Sequence, residues 1–226
     1  MPPPPGTLVT MAHPFRFRDR SHAGTLLAER LWALAGRGDV VVLGLPRGGV
    51  PVAAEIAKAL GVPLDVFIVR KLGVPGHEEL AMGAIGSGGA AVLNEDVIDA
   101  LAIPDHVIAE VALRERAELD RREAQYRDDR PFPELRGKTV VLVDDGLATG
   151  ASMLVALGAL RKKHPVRIIV AVPVAAAEIC DLVGRAADGI NCLETPDDFE
   201  GVGKWYDDFD QVTDEQVEAL LSAART

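Results

Sequence analysis

Cysteine is scarce in this sequence: Cys180 and Cys192 are the only two among 226 residues. Two cysteines in a chain of this length do not make the disulfide framework that stabilises small secreted domains. No histidine stands at a spacing typical of zinc ligands. We therefore expect two reduced thiols in or near the core and a cytoplasmic location, because a reducing compartment keeps such thiols free.

Basic residues and long apolar runs are also in short supply. Lys and Arg number 24 against 34 Asp and Glu, which gives a net charge of −10 and leaves no basic block to follow a nucleic-acid backbone. No apolar run approaches the roughly 20 residues that span a bilayer, and the first residues lack the basic and apolar regions of a signal peptide. We expect a soluble protein whose partners include neither nucleic acid nor membrane.

The four prolines of residues 2–5 predict an extended, solvated tail over residues 1–14, and Met11 is an alternative natural start. Residues 15–226 are expected to form a single domain, since no repeat or linker divides them. The apolar fraction of 48% is sufficient for a core.

Several short, continuous apolar runs predict buried parallel strands, because such strands are covered on both faces. They are Val40–Leu45, Leu64–Val69, Thr139–Val143, Arg167–Pro173 and, more weakly, Gly189–Leu193. Helical stretches lie between them, at Val50–Leu60, Ala151–Lys163 and Ala175–Ala186. This alternation predicts an α/β fold with three layers: a doubly wound, mostly parallel five-stranded sheet between helices.

Three segments depart from the alternation. Lys71–Asn94 is glycine-rich and is expected to form a flexible loop in which Ala81–Ile85 and Ala90–Leu93 can pair as a hairpin. Pro104–Asp129 reads as a highly charged, solvated helix. Residues 194–226 leave the sheet as a small hood and end in a helix over Thr213–Ala224, whose Thr213 and Gln216 fit a capping box.

The segment Val140–Ser152, VVLVDDGLATGAS, carries the strongest chemical signal. Its apolar residues lead to the carboxyl edge of the sheet, where ligands bind in open α/β folds. Asp144 and Asp145 stand there side by side, and such carboxylates can accept hydrogen bonds from ribose hydroxyls and stabilise positive charge that develops on a sugar ring. Small residues and the hydroxyls of Thr149 and Ser152 follow at the start of a helix, an arrangement that favours phosphate.

Two nucleotide-binding patterns fit less well. A P-loop requires a lysine before Ser152, and none is present. Gly86, Gly88 and Ala91 echo a dinucleotide fingerprint, but no strand-to-helix turn is predicted around them. A purely structural turn would leave the acids, the small residues and the hydroxyls without a common explanation.

VVLVDDGLATGAS resembles the phosphoribosyl-pyrophosphate motif of type I phosphoribosyltransferases, and the likeness extends from about Phe15 to Val217. The resemblance implies that Asp144 and Asp145 contact the ribose hydroxyls, with Asp145 nearer the reacting centre. It assigns the 5′-phosphate and its loop to the residues Gly146, Leu147, Ala148, Thr149, Gly150, Ala151 and Ser152.

Three further segments resemble parts of that family. Leu45–Gly49 is similar to its pyrophosphate loop, which implies that Pro46, Arg47, Gly48 and Gly49 face pyrophosphate and that the Pro46–Arg47 peptide bond is cis. Arg70 and Lys71 resemble the start of the mobile loop in adenine and orotate phosphoribosyltransferases. A second loop lysine is missing at Val74–Gly76.

That resemblance implies that Lys71 reaches pyrophosphate and that His77, Glu78 and Glu79 enter when the loop closes, which would exclude water. Trp205 lies where the family places its hood over the base. Its ring can stack on a flat acceptor or simply pack the tail onto the domain, whereas Tyr206 and Phe209 look like packing residues.

The resemblance implies an enzyme that moves ribose 5-phosphate from phosphoribosyl pyrophosphate to a nitrogenous base and releases pyrophosphate. Mg²⁺ would arrive with the donor, held by donor oxygens and possible direct contacts to Asp144 and Asp145 rather than by a protein cage. A regulatory protein that binds the donor or a nucleotide without transfer is the alternative. The family suggests a homodimer.

The acceptor is not identified by these patterns. Enzymes for 6-oxopurines carry a lysine on a later strand, where this chain has the apolar Ile168–Pro173. The combination of LPRGGVPVA, VRKLG and DDGLATG is most similar to a subgroup of predicted phosphoribosyltransferases, and that likeness supplies no acceptor.

Overall fold

A computed structural model describes residues 15–128 and 130–224, so the predicted tail over residues 1–14 lies outside the described residues. In chain order the helices and strands are α1 (Arg20–Arg30), β1 (Val40–Gly44), α2 (Gly49–Leu60), β2 (Leu64–Val66), β3 (Val69–Val74), β4 (His77–Gly86), β5 (Ala90–Leu93), α3 (Glu95–Ala100), α4 (Asp105–Arg127), β6 (Thr139–Val143), α5 (Ala151–Arg161), β7 (Arg167–Val174), α6 (Ala177–Ala186), β8 (Gly189–Glu194) and α7 (Asp214–Ala223).

The larger sheet is parallel and has the strand order β2-β1-β6-β7-β8. Alternate residues of a strand point to opposite faces. On one face, residues such as Val42 and Val141 pack against α1 and α2. On the other face, Leu43 and Val140 pack against α5 and α6. The expected three-layer α/β architecture is thus confirmed.

The predicted strand Leu64–Val69 is in fact two strands. β2 ends at Val66, and β3 begins at Val69 in a second, antiparallel sheet with the order β3-β4-β5. The expected hairpin forms, with Gly83 opposite Leu93 and Gly86 opposite Ala90. Residues 71–94 therefore form most of a small sheet, because β3 pairs with β4 along its length.

Helix α4 packs on the small sheet through its apolar side, where Val111 and Leu119 contact the cluster that contains Leu72 and Met82. At the end of this helix Arg127 is only 2% exposed. Its guanidinium donates to Asp65 at 2.9 Å and to the carbonyl oxygen of Val66 at 2.6 Å. Arg127 therefore fastens α4 to the edge of the larger sheet.

Residues 202–209 lie at the carboxyl edge of the sheet, where Val202 packs beside Gly146 and the Tyr206 hydroxyl donates to the carbonyl of Asp145. The chain pairs with the N-terminal segment, since Phe17 donates its N–H to the carbonyl of Trp205 at 2.8 Å and accepts from the N–H of Asp207 at 2.8 Å. The chain then enters α7, where Thr213 and Gln216 form the expected capping box. Across the described ranges, no helix is both long and apolar enough to cross a membrane.

The two cysteines are paired. Cys180 on α6 and Cys192 on β8 form a disulfide, so the expectation of two reduced thiols is wrong. The helix packs back on the strand that follows it, which brings the two Cα atoms to 6.9 Å despite the short separation of 12 residues. Reduced thiols therefore no longer support the expected cytoplasmic location.

Candidate functional site

Asp144 and Asp145 directly follow β6 at the carboxyl edge of the larger sheet, and both are partly buried. The N–H of Asp145 donates to Oδ1 of Asp144 at 2.9 Å. Burial, followed by repulsion from Asp145, raises the pKa of Asp144 well above its usual value. Burial also raises the pKa of Asp145, and the hydrogen bond from Arg20 opposes that rise. A ligand that brings hydrogen-bond donors or positive charge would relieve this pair.

Arg20, at the start of α1, was missed by sequence reasoning. Its Nε donates to Oδ2 of Asp145 at 2.8 Å, and its Nη1 donates to the carbonyl oxygen of Asp210 at 2.8 Å. The guanidinium also lies over the ring of Phe209, with Cζ 3.9 Å from the ring centroid. No local motif marks this residue, because its acidic partner is 125 positions away in the chain.

The loop after the acids turns tightly into α5. Gly146 and Gly150 adopt positive φ values of 154° and 71°, which favour glycine. Between them Leu147 is buried at 3% exposure and donates its N–H to the carbonyl of Val174 at 2.9 Å. The side chain of Leu147 is therefore packed in the core beneath the loop and not exposed at its surface.

The other predicted phosphate residues lie at the open start of α5. Ala148, Thr149, Ala151 and Ser152 are exposed. Oγ1 of Thr149 accepts from the N–H of Ala151 at 3.4 Å. Gly150 is the N-cap residue of α5 and has no side chain to cap the amides of the first turn. The first amides of a helix have no partners within the helix, so this turn offers amides and hydroxyls to an anion.

The 46–49 loop packs against the acid pair from the end of β1. Its Pro46–Arg47 peptide bond is cis, as predicted. A Cβ atom built on Gly48 would lie 2.0 Å from Oδ2 of Asp145, and one built on Gly49 would lie 2.5 Å from the carbonyl oxygen of Val143. Only residues without a side chain allow the loop to approach the acids this closely.

A cavity of about 450 Å³ opens beside this contact. Arg47 lies in the wall of this cavity, and its Nη1 is 3.8 Å from Oδ1 of Asp214. The remaining lining residues are Arg20, Gly48, Asp145, Phe209, Gln211 and Val212. Two guanidinium groups, one carboxylate and one aromatic ring therefore share this space.

Three other predicted site residues lie apart from that lining. Arg70 pairs with Glu115 of α4 at 2.6 Å, and Lys71 pairs with Glu79 at 3.3 Å. Trp205 is partly buried in the cluster around Phe17. The ring that lines the cavity is that of Phe209, which stacks on Tyr206 with centroids 4.9 Å apart. Whether Lys71 and Trp205 reach a ligand stays a prediction.

Tyr206 connects the hood to the acids. Its hydroxyl donates to the backbone carbonyl of Asp145 at 2.7 Å, and the residue is 3% exposed. Burial, followed by the charge of Asp145, raises the pKa of Tyr206. The hydroxyl therefore stays protonated and remains a donor.

A divalent cation fits the chemistry of the acid pair. Burial and mutual repulsion raise the pKa of Asp144, and a nearby cation would favour its ionised form. Within the described part of the chain, no group of three or more His, Cys, Asp or Glu could enclose a metal ion. Mg²⁺ bound here would be held by the carboxylates of Asp144 and Asp145.

Comparison with known proteins places this geometry in a family. The profile of the phosphoribosyl transferase domain matches residues 20–203. The chain belongs to the phosphoribosyl transferase domain family. The match begins at Arg20 and includes both glycine-rich loops and the acid pair.

Individual relatives agree with this membership. Two proteins of Mycobacterium tuberculosis, from strains CDC 1551 and H37Rv, are named "Putative phosphoribosyl transferase" and are 45% identical to this chain over 208 residues. That alignment covers 92% of this chain and 47% of each relative, so the chain spans about half their length. The crystal structure of TT1426 from Thermus thermophilus is 49% identical, with a TM-score of 0.81 over 92% of this chain and 98% of that one.

Proposed function

We propose that the protein transfers ribose 5-phosphate from phosphoribosyl pyrophosphate to a nitrogenous base and releases pyrophosphate. The observation that carries the proposal is the position of the acid pair. Asp144 and Asp145 lie between the 46–49 loop, whose glycines touch them, and the open start of α5. This arrangement suits a sugar that carries an anionic group at each end.

The loop 146–152 is proposed to hold the 5′-phosphate. Exposed Thr149 and Ser152 offer hydroxyls, and the first turn of α5 offers amides and the positive end of the helix dipole. Asp144 and Asp145 accept hydrogen bonds from the ribose hydroxyls. Their carboxylates stabilise the positive charge that grows on the ring as the bond to pyrophosphate breaks, so they act most strongly on the transition state.

The opposite end of the donor is proposed to bind at the 46–49 loop. The guanidinium of Arg47 can pair with diphosphate oxygens, and Gly48 and Gly49 allow the backbone to approach them. Asp144 and Asp145 would hold Mg²⁺ together with the donor. When bound, Mg²⁺ neutralises charge on the diphosphate and helps it to leave.

The reaction is tested by incubating the protein with phosphoribosyl pyrophosphate, Mg²⁺ and a panel of nitrogenous bases while pyrophosphate release is followed. We expect base-dependent release that falls at least about a hundredfold in Asp145→Asn, because a carboxylate near developing charge is lost. Asp120→Asn is the matched control, since Asp120 lies on α4 with its side chain 53% exposed. Equal release by wild type and Asp145→Asn would refute the assignment.

A second candidate function is a regulatory protein that binds the donor or a nucleotide without transfer. The observation that favours it is the ion pair between Arg20 and Asp145, since the proposed reacting-centre acid already has a cationic partner. Tight donor binding without release of pyrophosphate on any base would support this alternative.

A further inference from the structure

We propose that Asp214 is a positioning residue of the diphosphate site: its carboxylate orients the guanidinium of Arg47, and Tyr126 of α4 holds that carboxylate in place. The inference rests on the proposed function for the ligand that Arg47 binds. The contact among the three side chains belongs to the protein alone, so it can be tested without a ligand.

The side chain of Arg47 needs a support outside its own loop. The loop backbone is fixed, since Val50 donates its N–H to the carbonyl of Arg47 at 3.2 Å and Gly49 donates to that of Leu45 at 3.0 Å. The side chain of Arg47 is long and 37% exposed, and holding such a side chain in one conformation costs entropy. Among the acids in the described ranges, Asp214 is the one within 4 Å of this guanidinium.

Asp214 is itself held by two helices. It is the first residue of α7, where the helix dipole favours a carboxylate. Its Oδ1, the oxygen that faces Nη1 of Arg47 at 3.8 Å, also accepts from the hydroxyl of Tyr126. Tyr126 is 2% exposed and packs in the apolar cluster under the small sheet. The position of Oδ1 is therefore set by α4 and α7 before any ligand binds.

The other cations near this carboxylate have a partner of their own. Arg121 and Arg122 on α4 lie close enough to act on Asp214 or on its hydroxyl donor. Their Nε atoms, however, donate to Glu118 at 2.8 Å and 2.7 Å. Neither guanidinium therefore takes Asp214 away from Arg47.

The carboxylate of Asp214 lies outside the ligand space. Arg47 lines the cavity of about 450 Å³, whereas Asp214 is not part of that lining. An acid in this place can hold the guanidinium without occupying the room of a diphosphate. Both partners are also partly exposed, so their ion pair contributes little to the stability of the fold. Its effect falls on the orientation of Arg47.

A second contact between the same helices supplies a matched control. Nε2 of Gln125, the neighbour of Tyr126 on α4, donates to Oε1 of Glu218 on α7 at 2.9 Å. The ion pair to Arg47, however, belongs to Asp214. Asp214→Asn and Glu218→Gln each replace a carboxylate with an amide whose oxygen can still accept the hydrogen bond from α4.

Calorimetry tests the proposal with pyrophosphate in the presence of Mg²⁺ and, separately, with ribose 5-phosphate. We expect Asp214→Asn and Tyr126→Phe each to weaken pyrophosphate binding about fivefold, because the ligand must then order the Arg47 side chain. Both variants should bind ribose 5-phosphate as wild type does, and Glu218→Gln should change neither affinity. Equal weakening of both ligands would indicate a distorted site, and tighter pyrophosphate binding in Asp214→Asn would indicate competition for Arg47; either result overturns the proposal.

A double-mutant cycle shows whether Asp214 acts through Arg47. In an Arg47→Met background, Asp214→Asn should have no further effect on pyrophosphate binding, because the group that it orients is absent. A second loss of about the same size in that background would overturn the positioning role, since independent effects add.

The orientation itself is measured without ligand, by nitrogen-15 relaxation of the Arg47 Nε–H signal, which Arg47→Met assigns. We expect a lower order parameter in Asp214→Asn than in wild type and Glu218→Gln. Equal order in all three overturns the proposal. If Asp214→Asn does not fold, Tyr126→Phe takes its place with the same expectation. If wild type binds neither ligand while the loss of order is present, the proposed function fails and the support of Arg47 by Asp214 stands.

Discussion

Replacing Gly48 with alanine tests the contact between the 46–49 loop and the acid pair. Gly48 has φ −62° and ψ −33°, so its backbone accepts alanine without strain. The new Cβ atom would lie 2.0 Å from Oδ2 of Asp145 and 2.6 Å from its Cγ. Real Cβ atoms essentially never approach other atoms closer than 3.0 Å, so the loop or the acid must move by about 1 Å.

The acid cannot retreat freely. Arg20 holds its side chain at 2.8 Å, and the Tyr206 hydroxyl holds its backbone carbonyl at 2.7 Å. Overpacking at a site that does not yield costs about 1–3 kcal/mol of stability. Alanine also restricts the unfolded chain more than glycine does, which stabilises the folded state by about 0.4–1 kcal/mol. We expect Gly48→Ala to lose about 1–2 kcal/mol of unfolding free energy and at least about tenfold in donor affinity.

Urea denaturation measures the first quantity, and calorimetric titration with phosphoribosyl pyrophosphate and Mg²⁺ measures the second. Gly38→Ala is the matched control, because a Cβ atom there meets nothing within 4 Å. If Gly48→Ala matches Gly38→Ala in both measurements, the loop does not depend on the absence of a side chain at Gly48.

Three further predictions concern stability. The folded protein raises the pKa of Asp144, so ionising this carboxyl lowers the stability of the folded state as pH rises above the ordinary Asp pKa. Asp144→Asn should therefore raise the unfolding free energy near pH 8. Near pH 3, where the carboxyl is protonated in both states, the substitution should change the unfolding free energy little. Arg127→Met leaves Asp65 as a carboxylate without its buried partner and should cost about 3–5 kcal/mol in urea denaturation. Reducing the disulfide of Cys180 and Cys192, which closes a loop with a separation of 12 residues, should cost about 3 kcal/mol on the chain-entropy account.

Each of these predictions has a control. Asp120→Asn should show no pH-dependent gain, because Asp120 is half-exposed. Arg116→Met removes an exposed ion pair on the same helix as Arg127 and should cost at most about 1 kcal/mol. The reductant should leave the Cys180→Ala/Cys192→Ala double variant unchanged. If thiol alkylation labels both cysteines in the untreated native protein, the disulfide itself is contradicted.

Features carried by contiguous residues could be predicted from the sequence. The run Thr139–Val143 is buried on both faces of the sheet, so it is continuously apolar, and its strand matches the prediction at both ends. Asp144, Asp145 and the glycine-containing loop 146–152 follow it directly in the chain. The cis peptide bond at Pro46–Arg47 was likewise expected, because the local motif resembles the family's loop.

Features that depend on the tertiary packing could not be predicted. Arg20 meets Asp145 across 125 positions, and Arg70 meets Glu115 across 45. Cys180 and Cys192 pair because α6 packs back on β8, which depends on the final tertiary packing. The division of Leu64–Val69 between two sheets has the same origin, since nothing in an apolar run marks the point where the chain changes sheets.

We propose that the acid pair and its two loops form one site for phosphoribosyl pyrophosphate. Its most direct test is a calorimetric titration of the wild-type chain with this donor and Mg²⁺, followed by displacement with ribose 5-phosphate and with pyrophosphate. We predict one site at which both fragments compete with the donor and each binds more weakly than the donor does. No donor binding at millimolar concentration, or donor binding that neither fragment displaces, would contradict the claim.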